Sequence, residues 1–250
     1  MMTSTTIDEF FSRHERVALQ FSAGKDSAAT LWLLHDYWDQ MEVVWGNPGD
    51  PYPETITYME KVANLVPHFS CVLGDQPKDV LRNGWPVDIV PMENTELGRA
   101  LRREAVGPTL RPFWECCTKN LWGPMERFIE EGGFTGVIRG QKSCDRLSGP
   151  LASGAIVAGR EYLYPIEDWT DEQVFAYLGS EKLPPSYNRG LCSSLDCKTC
   201  TAYTSENKGR IADLRAIDPR AWQQVTAVHL HLLNRLSEHA EAIRSCHASE

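Results

Sequence analysis

The residues best able to do chemistry in this chain fall into two groups. The first is a set of cysteines. Cys116 and Cys117 are adjacent in Trp-Glu-Cys-Cys-Thr-Lys, and Cys197 and Cys200 bracket a Cys-Lys-Thr-Cys knuckle. Four thiolates in the order CC…CxxC are a ligand set for an iron–sulfur cluster or a structural zinc. Zinc sets normally space their ligands by two or more residues, so the adjacent pair tilts the bare spacing toward a cluster. The second group is Ser22-Ala23-Gly24-Lys25-Asp26-Ser27. Its small residues let backbone N–H groups approach a phosphate, and a helix starting near Asp26 adds the positive end of its dipole. The Ser22 and Ser27 hydroxyls can donate to phosphate oxygens, and Lys25 can neutralise charge developing on a polyphosphate. Asp26 is placed either to hold Mg²⁺ or to cap the helix.

The elements that must position these groups follow from apolar spacing. Residues 16–21 read as a short buried strand, and residues 25–38 carry apolar side chains at helical spacing, so the small-residue loop joins strand to helix. Met41–Gly46 is a second strand and Thr55–Val66 a second helix. Phe69–Leu73 and Val87–Val90 are further strands flanking a helix at 77–83. A helix at Leu121–Ile129, a strand ending at Gly136–Arg139, a surface loop or hairpin at Ser148–Gly159 and a helix at Asp171–Leu178 follow. Thr170 caps that last helix, with Asp171 and Glu172 in its favourable first turn. Leu183–Cys200 is irregular, and residues 218–242 form a long helical pattern. Alternating β and α segments imply an α/β fold with a doubly wound parallel sheet. No boundary splits the chain, which reads as a single domain over 1–250 with a core at 16–202 and a helical C-terminal extension at 207–250.

Composition narrows the function. The 250 residues carry a formal net charge of −9, which argues against a broad nucleic-acid footprint. Arg99, Arg102, Arg103 and Arg111 form a candidate local basic patch, or simply a solvated helix face. No apolar stretch approaches the ~20 residues of a membrane helix, and the first residues lack a secretory signal, so the expectation is cytoplasmic with no membrane partner. Eight cysteines in that setting point to metal ligands and buried thiols rather than a disulfide framework. Cys71 reads as core, Cys192 as a substitute ligand beside the knuckle or a thiol of no role, and Cys144 as a thiol activated by cationic neighbours or, in preference, a buried or bystander one.

The loop at 22–27 resembles the Ser-Gly-Gly-Lys-Asp-Ser pattern of the PP-loop superfamily, with Ala23 for the middle glycine, tolerable if that residue does not need positive φ. Other segments resemble the phosphoadenylyl-sulfate (PAPS) reductase family in the same order. They are Asn47-Pro-Gly-Asp-Pro-Tyr-Pro-Glu-Thr55, Gly136-Val-Ile-Arg-Gly-Gln-Lys-Ser-Cys-Asp-Arg146 and Tyr164-Pro-Ile-Glu-Asp-Trp-Thr-Asp-Glu-Gln-Val174. The resemblance implies a Rossmann-like adenine nucleotide alpha hydrolase fold and an adenine nucleotide bound by Ser22, Ala23, Gly24, Lys25, Asp26, Ser27, Asp50, Glu54, Arg139, Gly140, Gln141 and Arg146. Asp50 and Glu54 either contact ribose or Mg²⁺ or cap the following helix. Arg139 and Arg146 suit bidentate contact to phosphate or sulfate. The resemblance also implies a [4Fe–4S] cluster on Cys116, Cys117, Cys197 and Cys200, with Lys119 near the cluster or a substrate anion.

Two departures matter. The family's reductases carry a catalytic cysteine in a C-terminal Glu-Cys-Gly-Leu-His segment, whereas this chain ends Arg244-Ser-Cys-His-Ala-Ser-Glu250, leaving Cys246 either a mobile tail thiol or a relocated nucleophile. The Lys25–Asp26 pair of the ATP-using PP-loop enzymes is retained, although sulfonucleotide reductases typically lose it. The leading expectation is an ATP- and Mg²⁺-using sulfur-transfer enzyme, with Lys25 and Asp26 catalytic. It would take a sulfur donor and a nucleic-acid or partner-protein acceptor. The alternatives are a sulfonucleotide reductase releasing sulfite with a thioredoxin-like reductant, and a non-catalytic nucleotide and redox sensor.

Overall fold

The computed structural model describes residues 4–102, 107–145, 151–189, 196–205 and 209–247. Arg103, Arg146 and Cys192 lie outside the described residues. In chain order the elements begin with α1 (Ser4–Arg13), β1 (Val17–Phe21), α2 (Lys25–Leu33), β2 (Met41–Asn47), α3 (Pro53–Leu65) and β3 (Phe69–Leu73). They continue with α4 (Gln76–Asn83), β4 (Trp85–Val87), α5 (Glu96–Leu101), β5 (Leu110–Pro112), α6 (Phe113–Cys117), α7 (Gly123–Glu131) and β6 (Gly136–Arg139). The last are β7 (Ile156–Val157), β8 (Arg160–Leu163), α8 (Asp171–Leu178), α9 (Arg210–Ile217) and α10 (Pro219–His247).

The main sheet runs β3-β2-β1-β6-β8-β7, parallel throughout except that β7 turns back on β8. Strand alternation sorts side chains to two faces. Val17, Leu19 and Phe21 of β1 face a core built with α1, α2, α3 and α8. Ala18 and its neighbours Val44 and Val137 face Met125 and Ile129 of α7. Helices on both faces make this the expected α/β architecture. The chain leaves β1 toward β2 on one side, while β6 pairs on the other, so the β1–β6 boundary is the topological switch point. Gln20 and Arg139 are register partners there, and the loops following them start side by side.

Several boundaries differ from the pattern. The helix read over 25–38 stops at Leu33, because Leu34 departs from helical dihedrals and a 3₁₀ turn, His35–Gln40, carries Trp38 back to donate its indole N–H to the Leu31 carbonyl. The strand read at Val87–Val90 is β4, ending at Val87, and pairs only with β5 in a separate small sheet. Cys71 is exposed, because β3 is an edge strand with one face partly open. The long helix extends past residue 242 to His247, so Cys246 sits in a helix and not on a mobile tail. The capping box at Thr170 and Gln173 forms.

Ala23 takes φ +60, the left-handed region, so the condition for a cost-free glycine replacement is not met. That backbone costs an L-residue about 1–2 kcal/mol. Burying the methyl returns about 0.8 kcal/mol, and alanine restricts the unfolded chain more than glycine does. The effects nearly cancel, so Ala23→Gly should leave urea stability within about 1 kcal/mol. Ala23→Val, β-branched in the same backbone, should lose at least about 2 kcal/mol. Equal urea midpoints for the valine and alanine proteins would refute this account of the loop.

Candidate active site

The carboxyl ends of β1 and β6 open on a cavity of about 830 Å³. One wall is the loop after β1, with Ser22, Gly24, Lys25, Asp26 and Ser27. The loop after β6 adds Arg139, Gly140, Gln141 and Asp145. The opposite wall is the helical segment that follows the cysteine pair, with Thr118, Leu121, Trp122 and Glu126. Asp196, next to Cys197, also reaches the cavity. A π-helical turn, Thr118–Trp122, separates α6 from α7 in that wall. Such turns alter which side chains a helix presents on one face.

The two loops touch. A Cβ on Gly140 would lie 2.6 Å from the carbonyl carbon and oxygen of Asp26 and 2.7 Å from the Ser27 nitrogen, so only glycine allows this approach. In the first loop Ser27 donates its hydroxyl to the Gly24 carbonyl at 3.0 Å, and the Ser22 hydroxyl lies 3.3 Å from that of Ser27. The Lys25 backbone N–H donates to the Tyr187 hydroxyl at 3.1 Å. Ala23 is buried beneath the loop and does not line the cavity.

Asp26 does not cap the helix. Gly24 is the N-cap residue of α2, without a side-chain cap bond. The Asp26 carboxylate is instead gripped at both oxygens by ammonium groups. Lys25 Nζ lies 2.8 Å from Oδ2, and Lys142 Nζ lies 2.7 Å from Oδ1. Lys25 also reaches Asp171 of α8 at 2.9 Å. Burial would lower the Lys25 pKa, but Asp26 and Asp171 outweigh it and the ammonium is raised above its ordinary value. Asp171 is thus more than a helix-dipole residue. Sequence reasoning missed it in this role, together with Lys142 and Asp145. The available signal was that all three stand in the Gly136–Arg146 and Tyr164–Val174 segments that carry the family resemblance.

Arg139 lines the cavity with its guanidinium over the Tyr162 ring at 5.2 Å, and its buried Nε has no hydrogen-bond partner. Asp50 and Glu54 do not line it. The N-cap residue of α3 is Tyr52. Asp50 anchors the cysteine knuckle. Its carboxylate accepts from the Thr199 N–H at 2.9 Å and the Thr199 hydroxyl at 2.5 Å, and its carbonyl accepts from the Lys198 N–H at 2.7 Å. Two of the three acidic residues offered for Mg²⁺, Asp26 and Asp50, are therefore engaged by protein donors.

The knuckle is held from two further sides. Thr201 donates to the Pro86 carbonyl at 2.6 Å, and Asp88 accepts from the Tyr203 and Thr204 N–H groups. His229 of α10 meets the Thr201 carbonyl at 3.0 Å. These ties bring Cys197 and Cys200 beside Cys116 and Cys117, close enough for the four thiols to interact electrostatically. Burial, reinforced by Cys116, pushes the Cys117 thiol up to about 12. Burial with Cys117 and Cys116 does the same for Cys200, also to about 12. Cys197 is raised too, by burial first and then by Cys200. A cationic centre among them reverses that penalty, so the donor set fits a metal cluster. Among the described residues no three His, Cys, Asp or Glu side chains are arranged to hold a single ion.

Beneath the cysteine pair lies a second charged group. Asp79 is paired with Arg111, and accepts from Asn120 at 2.8 Å and from Lys119 at 2.6 Å. Asn120 also donates to the Cys116 carbonyl at 3.0 Å. Arg111 is therefore buried and no part of a surface basic patch, and Lys119 is committed to Asp79. Cys144 is exposed, does not line the cavity and directs its thiol to the Trp169 carbonyl at 3.6 Å.

Comparison with known proteins gives the family and the fold. Residues 16–203 match the family described as phosphoadenosine phosphosulfate reductase domain, and the chain belongs to that family. Adenosine 5'-phosphosulfate reductase of Sinorhizobium fredii (strain USDA 257) is 32% identical over 90 residues, 34% of this chain and 35% of that protein. The Rhizobium meliloti (strain 1021) protein of the same name is 31% identical over 90 residues, 34% of this chain and 33% of the relative. The chain thus matches about a third of the length of these curated relatives. Among solved structures, phosphoadenylyl-sulfate reductase from Candida auris, a phosphate complex, superposes with a TM-score of 0.50 at 14% identity. That match covers 77% of this chain and 86% of the other, and shows the shared fold.

The Asp79 group yields a prediction. Burial opposes its charge, but Lys119, Arg111, Asn120 and Asn83 hold the carboxyl at about 2, below the ordinary 3.8. The folded value is depressed, so this group stabilises the fold fully above pH ~4, by roughly 2 kcal/mol, and the contribution disappears as pH falls toward 2. Asp79→Asn should cost about 3 kcal/mol at pH 7, because Arg111 is left buried without its carboxylate. Denaturant titrations between pH 7 and 2 should show the variant's deficit shrinking with acid, and a deficit that stays constant would contradict it.

Proposed function

We propose that this protein uses ATP to activate an acceptor and then transfers sulfur to it, beside a [4Fe–4S] cluster held by Cys116, Cys117, Cys197 and Cys200. The observation that carries the reading is the single cavity shared by the phosphate loop and the segments that bear the four cysteines. The loop amides and the N-terminus of α2 hold the polyphosphate, and Lys25 balances charge on the departing pyrophosphate. Arg139, which lines the cavity, would receive the α-phosphate or the acceptor. An acceptor oxygen attacks the α-phosphorus, the bond to the β-phosphate oxygen breaks, and pyrophosphate leaves. A nucleophilic sulfur from a sulfide-level donor then attacks the acceptor carbon, and AMP departs with the oxygen. When bound, the cluster would supply a thiophilic metal centre.

The second reading is a sulfonucleotide reductase, favoured by the names of the curated relatives. It needs a cysteine nucleophile at the nucleotide. No described cysteine lines the cavity. Cys246 lies 17 positions along α10 from His229, which touches the knuckle. At 1.5 Å per residue a continuous helix carries it roughly 25 Å away. Retention of Lys25, with its amine at the cavity, also supports a pyrophosphate leaving group.

Titration calorimetry of anaerobically purified protein with ATP–Mg²⁺, adenylyl-sulfate and phosphoadenylyl-sulfate should show preference for ATP, by about tenfold or more. Cys246→Ser should leave nucleotide binding and AMP release unchanged. Preference for a sulfonucleotide, with sulfite release lost in Cys246→Ser, would establish the reductase. Tight ATP binding with no AMP formed under any sulfur donor would mark a sensor.

A further inference from the structure

Lys142 is the most deeply buried charged residue among those described, 1% exposed, and no step of the proposed reaction uses it. Its ammonium contacts three carboxylates: Asp26 Oδ1 at 2.7 Å, Asp145 Oδ1 at 2.8 Å and Asp171 Oδ1 at 3.2 Å. Its backbone N–H donates to the other Asp145 oxygen at 2.8 Å. Lys25 shares two of the same carboxylates, Asp26 and Asp171. The group therefore holds two ammonium ions against three carboxylates, drawn from the phosphate loop, the loop after β6 and the first turn of α8. Burial would lower the Lys142 pKa, but Asp145 and Asp26 overcome it and raise it.

This arrangement poses an electrostatic problem. A polyphosphate can engage Lys25 only as that amine loosens from Asp26 and Asp171. Asp26 and Asp145, which line the cavity, would then face an anionic ligand, with Asp171 behind them as a third unbalanced carboxylate. Lys142 does not line the cavity, so it does not compete for the phosphates. We propose that Lys142 is the resident counter-cation of the phosphate loop, a positioning residue that keeps Asp26, Asp145 and Asp171 paired while Lys25 turns to the ligand. The proposal rests on the phosphate-loop reading above. Distinct from it is the claim that charge balance, rather than packing, is what Lys142 contributes.

The test is a charge-rescue series on the full chain, titrated with ATP–Mg²⁺ by calorimetry. Lys142→Met keeps the length of the side chain and removes its charge, and should weaken binding by about tenfold or more. Lys142→Met/Asp145→Asn removes one charge of each sign and should return binding to within about threefold of wild type. A purely structural lysine predicts no rescue. Single-variant binding equal to wild type, or a folded double variant as weak as the single one, would overturn the proposal. If Lys142→Met does not fold, as judged by its melting transition, Asp145→Asn alone decides. It equalises the charges, retains an acceptor for the Lys142 N–H and should tighten ATP–Mg²⁺ about threefold, and unchanged or weaker binding would overturn the proposal. Adenylyl-sulfate is titrated in parallel. If wild type prefers it, the ATP reading fails, and the Lys142 series is then scored on adenylyl-sulfate.

Discussion

The parallel pairing of β1 with β6 is the constraint on which the rest of the site depends. These strands are neighbours in space but far apart in sequence, and their register sets Gln20 beside Arg139. Both strands therefore end at the same level, with their following loops in contact. Parallel strands need crossover connections, and here the crossovers leave on opposite sides of the switch point. The cleft that results has helix α2 pointing its N-terminus into it. Gly140 is the local expression of the same constraint, because any side chain there would force the two loops apart.

Closeness of the loops has an electrostatic consequence. Lys25, Asp26, Lys142, Asp145 and Asp171 come from three segments and share one small volume. Buried ion pairs do not stabilise a fold simply by existing, since desolvation offsets most of the attraction. Their value here lies in orientation. Each carboxylate has a defined ammonium partner, so a mobile ligand meets an already arranged set of charges. The Asp79–Arg111 pair plays a similar part under the cysteine helix, where Asn120 links it to the Cys116 carbonyl.

The knuckle illustrates a different economy. A CxxC segment within an irregular stretch has no sheet or long helix to fix it. Its position is set by hydrogen bonds to three separate parts of the fold: Asp50 after β2, Pro86 and Asp88 at the small sheet, and His229 on α10. The C-terminal helix is thus tied to the cysteine site as well as packed on Val87 and Leu110 through Val228 and Leu232. Cys246 lies 17 positions farther along that helix than His229 and does not line the cavity.

The linear chain by itself determined the α/β class, the strand–loop–helix around Ser22–Ser27 and the cap at Thr170. All are local, arising from periodicity, small residues or motif order. It also carried the family resemblance over residues that the family match covers. Tertiary structure decided the partners. Asp50 and Asp26 were legible as acidic residues in the right loops, but their hydrogen-bond donors, Thr199 and Lys142, are remote in sequence. Arg111 reads as a surface charge when taken with Arg99, Arg102 and Arg103 upstream of it, whereas its carboxylate comes from α4. The positive φ of Ala23 and the exposure of Cys71 follow from loop closure and from an edge position in the sheet. Local propensity depends on neighbours within a few residues, whereas charge pairing, burial and strand order depend on contacts that form only when distant segments meet.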